Sequence, residues 1–228
     1  MDNDWAYVFS KVGMEPSGDP FNSIMKLETD DTKKPCNPMI NAGAIVTTSL
    51  IKGTTLKEKE ERMLAFFRKI AKNDNIKINQ AVYESEKLTG DRNRAMAYLL
   101  KNDGVINGDV EEILDLYFKQ CSIEIDCVDL ARIGLIFANY GIDIETGERV
   151  ISENVSRMVK TFMVTCGMYD ASGEFAIKVG IPAKSGVGGG IMASVPRKMG
   201  IGVYGPSLDK KGNSIAGIKV LEDLSKQL

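Results

Sequence analysis

Apolar residues recur at helical spacing through most of the first two-thirds of the chain. Residues 1–35 are the exception, because glycine, proline and charged residues interrupt the pattern, and we predict an irregular segment there. A buried helix should follow, with Asn37 as its N-cap and Pro38 at its first position. A second helix opens on a capping-box pattern from Thr55 to Glu58. A short segment of unassigned structure follows at 79–87, and after a turn at 89–91 further helical segments are predicted at 92–101, 109–120, 126–140 and 152–165.

The hydrophobic period changes near the C-terminus. Residues 175–204 contain short runs of valine, isoleucine and glycine, which predict two or three strands, and residues 214–228 return to helical spacing. This order favours an α+β fold over a doubly wound sheet. We expect one domain over 1–228, with a helical part at about 36–166 and a strand-strand-helix part at about 172–228.

Composition narrows the function classes. The chain has 228 residues and a net charge of −2 from 29 basic and 31 acidic side chains, so nothing favours a nucleic-acid partner. It contains no histidine, which excludes Ser-His-Asp and Cys-His catalysis and the commonest zinc ligand. Any proton carrier must therefore be Lys, Tyr, Asp, Glu or Cys.

The compartment follows from three features. The four cysteines lack C-x-x-C spacing, which disfavours a zinc or redox motif. Residues 1–5 show neither the basic nor the apolar region of a signal peptide. The apolar runs fall short of the ~20 residues of a membrane-spanning helix. We therefore expect a cytoplasmic protein that does not bind a membrane.

A Lys-Ser-Gly triplet, Lys184 to Gly186, falls on the first predicted strand. Serine enzymes that use Ser-x-x-Lys instead of histidine carry such a triplet on an edge strand, where backbone N–H groups can line an oxyanion hole. Taken alone, the triplet fits a structural strand turn equally well.

Six further segments occur in a specific order along essentially the whole chain. They are 15–22 (EPSGDPFN), 37–45 (NPMINAGAI), 85–93 (SEKLTGDRN), 166–170 (CGMYD), 182–187 (PAKSGV) and 209–214 (DKKGNS). Together they closely resemble the serine-dependent glutaminase family, in its bacterial form. The resemblance implies a β-lactamase-like fold, hydrolysis of L-glutamine to L-glutamate and ammonia, no cofactor or metal, and a homo-oligomer, either dimer or tetramer.

The resemblance also implies four residues that bind the substrate. Asn41 would hydrogen-bond the bound amino acid, Glu86 would pair with its α-ammonium, and Asn93 would hold its α-carboxylate. Tyr117 matches a tyrosine of the substrate pocket. Without the family motifs, Glu86 would be interpreted as a solvated helix residue and Tyr117 as part of the core.

Two catalytic roles follow in the same way. Tyr169 would lie beside the reacting centre, contact the substrate and orient or relay a proton, although in isolation it could be a surface tyrosine. The backbone N–H of Val187 would be one oxyanion donor and would also contact the substrate.

The serine nucleophile of the family belongs to a Ser-x-x-Lys motif that precedes the EPSG segment, here residues 15–18. We therefore expect the nucleophile, its lysine and the N-terminal strands of the sheet to lie upstream of this chain, which would be the C-terminal two-thirds of a glutaminase. Alternatives are a truncated, non-catalytic paralogue or partner subunit, and another penicillin-recognising serine hydrolase. Three internal Ser-x-x-Lys matches, starting at Ser23, Ser49 and Ser207, are not favoured as nucleophiles.

Overall fold

The computed structural model describes residues 3–228 and has an α+β architecture. Packing divides the chain into two compact units: the first comprises the residues up to Arg68 and Asp74–Glu124, and the second Lys69–Asn73 and Ile125–Leu228. The helices are α1 (Trp5–Lys11), α2 (Met25–Thr29), α3 (Asn41–Ser49), α4 (Leu56–Ala71), α5 (Gln80–Thr89), α6 (Asp91–Asn102), α7 (Val110–Cys121), α8 (Cys127–Ala138), α9 (Glu153–Cys166), α10 (Ser172–Lys178) and α11 (Ile215–Ser225). The strands are β1 (Lys77–Ile78), β2 (Ile123–Glu124), β3 (Ala183–Ser185), β4 (Gly190–Val195) and β5 (Met199–Tyr204).

Helix α7 is the centre of the first unit. It packs against α3, α5 and α6, and its apolar side chains, including Leu114 and Phe118, lie in a core shared with those helices. The short strands β1 and β2 pair antiparallel, with Ile78 opposite Ile123. Helix α7 thus fixes the positions of the three helices around it.

A polar network also ties α7 to α5. Asp115 accepts hydrogen bonds from Tyr83, from Lys87 at 2.9 Å and from Lys119 at 2.8 Å, and Lys119 reaches Glu60 of α4 at 2.9 Å. Burial raises the pKa of Asp115, but the hydrogen bonds from Lys119, Tyr83 and Lys87 outweigh it and lower the pKa to about 2. The ionised carboxylate therefore stabilises the folded state.

This depressed pKa gives a pH dependence of stability with a defined sign. Because the unfolded carboxyl titrates near pH 4, the stabilisation is complete above about pH 5 and is lost as the pH falls towards about 2. We expect Asp115→Asn to lower the free energy of unfolding at pH 6, with the difference from wild type shrinking towards pH 2. Denaturant unfolding at several pH values measures it, with exposed Asp74→Asn as the control. A difference independent of pH would contradict this role.

The second unit is a three-stranded antiparallel sheet in the order β3-β4-β5, with α8 lying on β4 and β5. The backbone of α8 contacts the backbone of β5 directly. A Cβ on Gly200 would lie 1.9 Å from the carbonyl oxygen of Ala131, and one on Gly202 would lie 2.1 Å from that of Cys127. Helix α9 packs against β3 and α10, and α11 against β5. Glycine is therefore required on β5 for α8 to approach the sheet this closely.

We expect Gly200→Ala to destabilise the protein markedly, because the added methyl group would displace helix backbone rather than a flexible side chain. Overpacking of this kind costs about 1–3 kcal/mol or more. Thermal unfolding measures it. The matched control is Gly173→Ala in α10, where an added Cβ meets no atom within 4 Å. An unchanged melting temperature for Gly200→Ala would show that α8 can move away at little cost.

Most predicted helices are confirmed by their caps. Asp126 accepts hydrogen bonds from the N–H groups of Val128 and Asp129, while Ser152 and Ser214 cap α9 and α11. The Thr55 capping box is present, since the Glu58 N–H donates to Thr55 Oγ1 at 3.2 Å and the Thr55 N–H donates to Glu58 Oε2 at 3.4 Å.

Three sequence predictions were wrong. The segment 1–35 is not irregular throughout, since Asp4 caps α1, Trp5 stacks on Phe9, and α2 adds one turn. The helix after Pro38 begins at Asn41, because Asn37 Oδ1 accepts from the N–H groups of Met39 and Ile40 and caps a turn instead.

The predicted strand region also begins too early. Phe175 lies in α10, where its buried ring joins the core of the second unit, and β3 begins only at Ala183. Gly180, with φ +69°, reverses the chain between the two elements. The part called strand-strand-helix from 172 therefore opens with a helix. Helices α8 and α9, placed in the helical part, belong to the same compact unit as the sheet.

Candidate active site

Two of the candidate substrate-binding residues are in contact. Asn41 is the first residue of α3 and Asn93 lies in the first turn of α6, and the Asn41 Nδ2 donates to the Asn93 Oδ1 at 3.1 Å. The Asn41 N–H is held by the carbonyl oxygen of Phe21 at 2.9 Å. Both side chains are half-buried. The first unit therefore presents two adjacent amide groups at the start of two packed helices.

Glu86 lies near the end of α5 and is also half-buried. Among residues 3–228 its carboxylate forms neither an ion pair nor a hydrogen bond. The corner between α5 and α6 packs tightly on α7, because a Cβ on Gly90 would lie 2.5 Å from Cζ of Phe118. The Glu86 carboxylate is therefore available to a cation.

Tyr117 is only 4% exposed and belongs to the apolar core of the first unit. Its ring lies tilted against that of Phe118, with ring centroids 5.8 Å apart. Tyr117 therefore packs in the core, as its position on an apolar helix face suggests. Its contact with the substrate stays a prediction. Tyr117 lies on α7, the helix against which the helices that contain Asn41, Glu86 and Asn93 pack.

In the second unit, Val187 lies in the turn that joins β3 to β4. The turn is closed by hydrogen bonds from the Gly186 N–H to the Gly190 carbonyl and from the Gly189 N–H to the Gly186 carbonyl, both at 2.9 Å. Val187 is 51% exposed. Its N–H has no acceptor in the described part of the chain. The turn therefore offers a backbone donor to a ligand, as an oxyanion hole requires.

Tyr169 follows the end of α9 with φ +56°, an uncommon conformation for a residue other than glycine. Its hydroxyl donates to the carbonyl oxygen of Ser185 at 3.1 Å, two residues before Val187. The ammonium of Lys184 lies 4.7 Å from the centre of the Tyr169 ring and donates to the same Ser185 carbonyl. The structure thus brings Tyr169, the Lys-Ser-Gly triplet and the Val187 turn together.

Two residues that fix this tyrosine were missed by sequence reasoning. Ser172 Oγ donates to the Tyr169 carbonyl at 2.7 Å and accepts from the Met168 N–H at 3.0 Å. Asn213 Nδ2 donates to the Met168 carbonyl at 3.3 Å. Asn213 lies in the 209–214 segment that contributes to the family resemblance, but no role was assigned to it; an asparagine in a turn that proves to be buried is the signal that could have found it.

The three internal Ser-x-x-Lys matches lie in ordinary local settings. Ser49 ends α3, and its hydroxyl donates to the Val46 carbonyl at 2.7 Å. Ser23 Oγ accepts from the Met25 N–H at 3.3 Å, and Ser207 lies in the turn before α11. The prediction that none of them is the nucleophile stays a prediction. Among the described residues, no group of three or more acidic or cysteine side chains could hold a metal ion, and no helix could span a membrane.

Comparisons with known proteins agree with the family resemblance of the sequence motifs. The family model described as Glutaminase matches residues 1–228. A glutaminase of Clostridioides difficile (strain 630) is 82% identical over 100% of this chain and 74% of its own length, and one of Alkaliphilus metalliredigens is 65% identical over 96% of this chain and 72% of its own.

Solved structures show the same similarity. The Bacillus subtilis probable glutaminase superposes with a TM-score of 0.94 at 43% identity, over 98% of this chain and 74% of that one. The Bacillus subtilis glutaminase YbgJ, in covalent complex with 5-oxo-L-norleucine, gives a TM-score of 0.87 at 40% identity over 97% of this chain and 72% of that one. The α+β fold predicted from the sequence is confirmed, and this chain belongs to the glutaminase family.

Proposed function

We propose that this chain supplies substrate-binding residues and an oxyanion donor to a glutaminase, which hydrolyses L-glutamine to L-glutamate and ammonia. Membership of the family supports the activity. One structural observation carries the assignment of residues: the Tyr169 hydroxyl is held on the Ser185 carbonyl, two residues from the unoccupied N–H of Val187. The proposed proton carrier thus contacts the end of β3, and the proposed oxyanion donor lies in the turn that follows this strand.

Asn41, Glu86, Asn93 and Tyr117 would bind the amino-acid end of glutamine, as the family resemblance implies. This end is a zwitterion, so it needs a carboxylate for the ammonium and neutral donors for the carboxylate. Glu86 supplies the first, since its carboxylate has no partner among the described residues. Asn93 supplies the second from the first turn of α6, where the helix N-terminus also favours negative charge. Asn41 fixes the Asn93 amide, and Tyr117 backs the site.

Tyr169 and Val187 would act on the amide end, as the family resemblance implies. When a nucleophile adds to the carboxamide carbon, the oxygen becomes negative, and the Val187 N–H is placed to stabilise it. The proton of the attacking group must reach the amide nitrogen so that ammonia can leave, and Tyr169 Oη is the group proposed to carry it. We propose that hydrolysis proceeds through a serine acyl-enzyme. The covalent complex of YbgJ with 5-oxo-L-norleucine supports a nucleophile in that relative, and no residue of this chain is assigned to that role.

Ammonia release tests the function directly. We expect the purified complete enzyme to form L-glutamate and ammonia in equal amounts from L-glutamine. L-asparagine, shorter by one methylene group, is the comparison substrate, and heated protein is the blank. Absence of ammonia from L-glutamine would contradict the proposal.

The assembly and location are also proposed. We propose a cytoplasmic protein that forms a homo-oligomer, either a dimer or a tetramer, and the family resemblance supports the oligomer. Sedimentation equilibrium of the purified enzyme distinguishes these states, and a concentration-independent monomer would contradict both.

A further inference from the structure

Lys184 and Tyr169 share one acceptor. The carbonyl oxygen of Ser185 receives the Tyr169 hydroxyl at 3.1 Å and the Lys184 ammonium as well. A carbonyl oxygen has two lone pairs, so both donors can be satisfied at once. The ammonium also lies 4.7 Å from the centre of the Tyr169 ring. The lysine is therefore bound to the tyrosine in two ways, through a common oxygen and across the ring face.

The acceptor itself is held rigidly. The Ser185 N–H donates to the Gly167 carbonyl at 3.0 Å, and β3 pairs with β4 from Ala183 to Ser185. A Cβ on Gly167 would lie 1.9 Å from the Ala183 carbonyl, so the end of α9 lies directly against this strand. Because β3 is fixed, the Ser185 carbonyl oxygen determines the positions of the Tyr169 hydroxyl and the Lys184 ammonium.

This arrangement affects the chemistry of the phenol. A hydroxyl that carries a proton must pass through a state in which its oxygen bears more negative charge. A fixed cation beside the ring stabilises that state more strongly than it stabilises the neutral phenol.

We propose that Lys184 is a positioning residue for Tyr169: it holds the phenol on the Ser185 carbonyl and stabilises the charge that develops on it during proton relay. This rests on the proposed function. The step is balanced, since the proton that Tyr169 gives to the leaving amide nitrogen is replaced by the one lost from the attacking hydroxyl. Lys184 itself neither gains nor loses a proton and does not contact the reacting atoms.

The test is a double-mutant cycle for glutamine hydrolysis in the complete enzyme. We expect Lys184→Met to lower kcat by about 10- to 100-fold with KM within about twofold of wild type, because only the developing charge is affected. Lys184→Arg, which keeps the cation, should recover most of the loss. In a Tyr169→Phe background, Lys184→Met should change kcat by less than about twofold, because the group it acts through is gone.

Controls separate this role from a structural one. Lys178→Met removes an exposed lysine of the same unit, paired with Glu174 at 2.6 Å, and should leave kcat unchanged. Thermal unfolding identifies any variant that is merely destabilised, and Lys184→Arg then decides the outcome. Full loss in Lys184→Arg, or equal effects of Lys184→Met with and without the Tyr169 hydroxyl, would overturn the proposal. If the wild-type enzyme is active and Lys184→Met has the same kcat, only the role of Lys184 is overturned. If the wild-type enzyme is inactive, both the role of Lys184 and the proposed function are overturned.

Discussion

Replacing Tyr169 by phenylalanine should lower kcat for glutamine hydrolysis by about 10²- to 10⁴-fold, the usual contribution of a positioned proton carrier. The ring and its contact with Lys184 remain, so only the hydroxyl that bonds the Ser185 carbonyl is lost. KM should change little, because the proton moves only in the transition state. Steady-state kinetics with L-glutamine measure both constants.

The chain offers a matched control for this variant. Tyr140 is another tyrosine of the second unit with positive φ, +54°, and its ring also carries a lysine ammonium, that of Lys160, at 3.8 Å. Tyr140→Phe removes a hydroxyl without disturbing that contact and should leave kcat unchanged. A Tyr169→Phe enzyme that works at the full rate would exclude this hydroxyl from the mechanism.

Glu86→Gln should raise the KM for glutamine by about 10- to 150-fold. The change keeps the size of the side chain and removes the charge that would pair with the substrate ammonium. Loss of one charge-assisted hydrogen bond costs about 1.5–3 kcal/mol, which corresponds to that range. The effect on kcat should be smaller, because the ammonium is bound equally in the ground state and the transition state. Isothermal titration calorimetry with L-glutamate, the product, should show the same loss of affinity as a higher dissociation constant.

Glu84→Gln is the control for charge on the same helix. Glu84 is exposed on α5 and accepts a hydrogen bond from Gln80 at 2.9 Å, two residues before Glu86. The Glu84→Gln variant should leave the KM for glutamine unchanged, which separates a specific ion pair at Glu86 from a general effect of net charge. If Glu86→Gln binds glutamine as well as wild type does, the carboxylate has no role in recognising the ammonium.

Local signals predicted most helices correctly because the groups that set a helix end are neighbours in the chain. A capping side chain such as Asp126 or Ser152 bonds an N–H two or three residues ahead, so its effect can be recognised from the sequence. The same reasoning failed at Asn37, where the capping bonds formed but the chain continued as a turn. There the start of α3 is fixed by Phe21, a residue far along the chain.

The family motifs named the candidate site residues but not how they are arranged. The contact between Asn41 and Asn93 joins positions 52 residues apart, and it exists because α3 and α6 pack together on α7. The availability of the Glu86 carboxylate likewise depends on which cations the fold leaves near it. Such pairings are set by packing among helices, and a linear pattern of apolar residues specifies a buried face but not its partner.

The sequence by itself determined the helical order, the late strands, the exclusion of histidine chemistry and the family, because these depend on local hydrogen bonding, composition and motif order. Only the tertiary structure decided that α8 lies on the sheet through glycine contacts, and that Tyr169 and Lys184 meet on one carbonyl oxygen. Both depend on atoms brought together across many residues, where a displacement of one ångström makes or breaks the contact.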